Sequence, residues 1–116
     1  MKILLVEPGQ APRAAEITGG LEEMQALVGG LIQAVYPFGE PVALVCHDEG
    51  KLLGLPLNRV LRLPGTGEIY DVIAGPFFLC GAPPDSDSFV SLTDDQLSRY
   101  AERFRLPEFF VGEDEV

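Results

Sequence analysis

The chain has 116 residues, the length of one domain, and its 47% hydrophobic and 22% charged content is that of a globular rather than a disordered sequence. Eighteen acidic against eight basic side chains give a formal charge of −10, which argues against a nucleic-acid backbone as direct partner. Met1–Glu7 is too short an apolar stretch for a signal peptide, and no window approaches the ~18 apolar residues that span a bilayer. Two cysteines, Cys46 and Cys80, are too few for a disulfide scaffold. A soluble, cytoplasmic protein with no membrane contact is the expectation.

Lys2–Glu7 is apolar, bounded by Pro8-Gly9, and predicts a strand. Arg13–Thr18 alternates weakly and predicts a returning hairpin strand. The period then changes: Leu21, Met24, Leu27, Val28 and Leu31 recur at three and four residues, the stripe of an amphipathic helix. Glu22 and Glu23 suit its positive end, and Gly29-Gly30 its end. Leu31–Phe38 and Pro41–His47 predict two strands. Val42–Cys46 is continuously apolar, as in a strand covered on both faces.

Gly54 and Pro56 interrupt Lys51–Leu63, where Leu57–Leu61 reads either as one helical turn or as an irregular strand. Pro64-Gly65-Thr66-Gly67 is a loop. Glu68–Ala74 and Phe77–Cys80 predict strand, with a bulge or kink at Gly75-Pro76. In such a strand Phe77 and Phe78 face opposite layers. Thr93-Asp94-Asp95-Gln96 has capping-box form, and Leu97, Tyr100, Ala101 and Phe104 make the buried stripe of a final helix. Phe109-Phe110 is expected to fold back on the core.

The order ββαββ, an irregular stretch, β(β) and α predicts a single α+β domain over residues 1–106. Its sheet is mostly antiparallel, of about five strands with two helices, and a β-grasp-like arrangement is compatible with it. Residues 107–116 are expected to be an acidic C-terminal tail, densest at Glu113-Asp114-Glu115-Val116, where fraying is expected.

Chemistry-bearing patterns are few. Cys46 and the sole histidine, His47, are adjacent, but neighbours in a strand point to opposite faces, so they form no nucleophile–base couple. Zinc would need four ligands at recognisable spacing, and no such spacing occurs. Gly65-Thr66-Gly67 lacks the rest of either nucleotide fingerprint, and no Gly-x-Ser-x-Gly elbow is present. No catalytic residue, metal or cofactor is assigned. What remains is polar residues set in apolar runs, Asn58-Arg59 and Tyr70-Asp71, which need partners when buried. The plain expectation is an Arg59–Asp71 ion pair, with Asn58 bonding backbone at a bend. The functional alternative is a pocket in which Arg59 holds an anionic group through its planar donor fork.

Lys2–Pro8, Ala34–Phe38, Gly54-Leu55-Pro56-Leu57-Asn58-Arg59, Asp71–Gly81 and Ser91–Asp94 together resemble a bacterial domain-of-unknown-function family, number 3846, over about residues 1–106. A Leu-Pro-x-Asn-Arg element and a Gly-x-Phe-Phe segment carry the resemblance. It implies an association with phages and conjugative elements, brings no activity, and places weight on Asn58, Arg59, Asp71, Gly75 and Phe78. Asn58, Arg59, Asp71 and Phe78 are thus the candidate binding residues. The expected function is a small acidic accessory module acting through an unidentified protein partner. The alternatives are a small-molecule pocket or weak enzyme built on Asn58, Arg59 and Asp71, and an acidic mimic of DNA.

Overall fold

The computed structural model describes residues 1–63 and 65–111, so that Pro64 and the Glu113–Val116 cluster lie outside the described residues. Among the described residues, seven strands and two helices follow in chain order. They are β1 (Lys2–Val6), β2 (Arg13–Glu16), α1 (Leu21–Val28), β3 (Ile32–Val35), β4 (Val42–His47), β5 (Leu57–Arg62), β6 (Ile69–Ala74), β7 (Phe77–Gly81) and α2 (Asp94–Arg103). The α+β class and the two helices are as the periodicities predict. Five strands form one sheet in the order β2-β1-β7-β4-β3, while β5 and β6 form a separate two-stranded ribbon. Every pairing is antiparallel.

Strand β7 is the centre of the sheet. Its Leu79 lies opposite Leu4 on one side and Leu44 on the other, and Phe78 opposite Leu5 and Val45. Alternation then divides the core in two. Phe77 and Leu79 join Leu4, Val6, Val42, Leu44, Leu61, Ile73, Tyr100 and Phe104 on the face covered by α2 and the ribbon. Phe78 and Cys80 join Ile3, Leu5, Met24, Val28, Ala43 and Val45 on the face covered by α1. The protein is therefore three layers deep, which is why Val42–Cys46 is apolar throughout.

The helix signals are realised with one trimming. Thr93 Oγ1 accepts from Gln96 N at 3.1 Å and Gln96 Oε1 from Thr93 N at 2.9 Å, the full reciprocal cap. In α1 only Met24 and Val28 are buried. Leu21 begins the helix and Leu31 follows the left-handed turn at Gly29 (φ 87°), so both overhang the sheet and stay exposed. An eight-residue helix has barely two turns to lay on a sheet, and five stripe positions exceed them.

One open reading is decided and two others change. Leu57–Leu61 is strand, part of β5. Gly75-Pro76 is more than a kink, because the chain leaves the ribbon there and enters the main sheet. Gly75 adopts φ +80°, a left-handed conformation open to glycine at little cost, and its N–H bonds Pro56 O at 2.7 Å. Phe109 is 91% exposed rather than folded back, since the ring of Phe104 already fills the core edge against Phe77 and Phe38.

Candidate functional site

The candidate binding residues singled out from sequence go to three different places. Asn58 and Arg59 are buried, at 0% and 1% exposed, where the ribbon meets the main sheet. Asn58 Nδ2 donates to Val6 O at 3.0 Å and to Gly75 O at 2.9 Å, tying β1 to the crossing between sheets. The Arg59 guanidinium spends all five of its N–H groups. Nε and Nη2 donate to Phe104 O (3.2 and 3.0 Å), Nη2 also to Gln10 O (2.6 Å), and Nη1 to Asn58 O (3.3 Å) and Asn58 Oδ1 (2.9 Å). No donor is left for a ligand. Burial lowers the Arg59 pKa from the usual arginine range, and the charge of Glu108 opposes the shift.

The expected Arg59–Asp71 ion pair does not form. Asp71 lies opposite Leu61 on β6 and pairs with Lys51 from the loop after β4. Arg59 lies two residues back along β5, where the terminal carbonyl of α2 reaches it first. Phe78 is wholly buried against α1. Asn58, Arg59, Asp71 and Phe78 therefore do not converge on one cavity.

Asp71 instead lines a cleft of about 320 Å3 with Cys46, His47, Asp48, Glu49, Lys51 and Leu52, at the lower end of the ~300–1,000 Å3 typical of small-molecule sites. Sequence reading missed Lys51 because its carboxylate partner is 20 residues away. The spacing of Asp48-Glu49-Gly50-Lys51, a tight turn after a buried strand, was the available signal. Gly50 is packed so closely that a Cβ would stand 2.7 Å from Ala74 O, which holds this loop against β6.

Cys46 and His47 flank the cleft without acting together. Cys46 belongs to the α2 face of the core, while the His47 ring lies against Gly30 beyond the end of α1. His47 Nδ1 accepts the Glu49 N–H at 2.9 Å, so that nitrogen is not free to take a proton from the thiol. Burial pushes the Cys46 thiol up to about 11, with Asp71 and Asp48 adding to the shift. A thiol protonated at neutral pH is no nucleophile. Among the described residues, no three His, Cys, Asp or Glu side chains gather to hold a metal ion, and no helix is long and apolar enough to cross a membrane.

Fold and site together define a small antiparallel α+β module in which the buried Asn58–Arg59 cluster is closed upon itself. Residues 1–105 match the family described as a domain of unknown function (DUF3846), and the chain belongs to that family. No match was found among curated proteins or solved structures.

Proposed function

We propose that the protein is a binding module that docks a protein partner through the ribbon and the loop before it. The observation that carries this reading is the concentration of exposed apolar side chains there. Leu52 is 82% exposed beside Asp48, Glu49 and Asp71 at the cleft, and Ile69 (61%) and Tyr70 (54%) are exposed on β6. Such patches with a polar rim mark interaction surfaces. The setting is a phage or conjugative element, on the resemblance of the motifs, and a reducing cytoplasm, on two free thiols buried on opposite faces of one sheet.

The test is capture from native lysate at low salt with the wild-type chain and with Leu52→Asp/Tyr70→Asp, both verified as folded. Partners held by the wild type and lost by the double variant support the reading. Identical recoveries, or nothing above background, reject it.

A small-molecule site is the second reading, favoured by the cleft beside Asp71 and Lys51 rather than by the closed Asn58–Arg59 junction. A melting temperature unmoved by a panel of small zwitterions and anions would remove it.

A further inference from the structure

The outer edge of the ribbon is sealed by side chains instead of by a strand. The Val60 N–H, not shared with β6, is taken by Glu108 Oε2 at 2.7 Å. Two residues on, Arg62 O accepts from Arg103 Nη2 at 3.2 Å. A donor and an acceptor at that spacing are what an added extended chain would pair with.

Between them lies a cavity of about 90 Å3 lined by Val60, Arg62, Arg103, Phe104 and Glu108. It is far below the ~300 Å3 of a small-molecule site and suits a single side-chain head group. Both guanidinium groups are held in place. Arg62 Nη1 donates to Gly67 O at 3.0 Å, and Arg103 lies over the rings of Phe38 and Phe104 at 5.0 and 5.6 Å. Among the described residues, neither makes an ion pair. The negative end of α2 would disfavour an anion here, but Arg59 donates twice to its last carbonyl, Phe104 O. On a chain of charge −10, this corner is a basic island, and a carboxylate already sits at its entrance.

We infer that the outer edge of β5 is a docking strand for an acidic extended peptide of the partner, whose carboxylate enters the cavity between Arg62 and Arg103, and that Glu108 keeps the place in the free chain. Planar guanidinium forks match a carboxylate bidentately, and the edge hydrogen bonds set the register of the added strand. The inference rests on the binding-module reading and names the chemistry of its partner.

The test uses the full chain and two blocked, fluorescently labelled hexapeptides, one alternating valine with glutamate and one valine with glutamine. Glu108→Ala binds the glutamate peptide about tenfold more tightly than the wild type does and discriminates against the glutamine peptide, and adding Arg62→Gln abolishes the gain. Should Glu108→Ala fail to fold, Arg62→Gln in the otherwise wild-type chain serves, and there the affinity for the glutamate peptide falls. Equal affinity for the two peptides, or no binding by any of these chains, overturns the inference. Dimerisation of Glu108→Ala without peptide binding also overturns it and gives the edge to a second copy. Leu52→Asp/Tyr70→Asp keeps its affinity for the glutamate peptide, so the apolar patch and the β5 edge can fail separately.

Discussion

Asn58 Oδ1 accepts a hydrogen bond from Arg59 Nη1 at 2.9 Å, although neighbours in a regular strand look to opposite faces. The register between β5 and β6 shifts between Leu57 and Arg59. That bulge adds one residue on the β5 side, so both side chains turn inward. Two polar groups can then satisfy each other and the backbone ends around them, in a place where either alone would be left short of partners.

Arg59→Ala is expected to lower stability by at least ~3 kcal/mol, since it strips the buried Phe104 carbonyl and the partly buried Gln10 carbonyl of their donors. Arg59→Lys is also destabilising, because an ammonium offers three donors where the guanidinium offers five. Urea denaturation checks both. A wild-type midpoint for Arg59→Lys would mean that the fork geometry is dispensable.

Asn58→Leu keeps the volume and removes the polar head. Val6 O and Gly75 O each lose their Asn58 donor, at ~2–4 kcal/mol for the pair. The loss should appear as a lower urea midpoint with an unchanged slope. A change below ~1 kcal/mol would show that water takes over both carbonyls.

Both thiols should resist an aromatic disulfide reagent at pH 8 in the folded chain and react fully in denaturant, because burial pushes Cys46 to about 11 and Cys80 to about 12. The consequence for stability has a definite sign. The unfolded chain releases these protons near an ordinary thiol pKa of ~8.5, while the folded chain retains them. Their contribution is thus complete below about pH 8.5 and is lost as pH rises through 11 and 12. Urea midpoints measured from pH 8 to 11 for the wild type and Cys46→Ala/Cys80→Ala should differ in slope. Parallel curves would contradict the assignment.

The sequence by itself determined most of the elements and their faces, leaving Leu57–Leu61 open between helical turn and strand. Capping at Thr93, the glycine turn after Val28, the apolar run of Val42–Cys46 and the opposite placement of Phe77 and Phe78 all depend on residues a few positions apart. Period and capping act over one or two turns of chain, so they are written locally. The separation of Cys46 from His47 followed from the same alternation.

Only the tertiary structure decided which strands share a sheet and where the buried polar groups find partners. Arg59 reaches carbonyls 45 and 49 residues away, and no local pattern encodes contacts at that separation. The bulge that turns Asn58 and Arg59 to one side breaks the alternation on which the sequence argument depends. A buried guanidinium is satisfied by whichever acceptors folding brings near. Here those are the end of α2 and the turn after β1, and the carboxylate of Asp71 is left to Lys51.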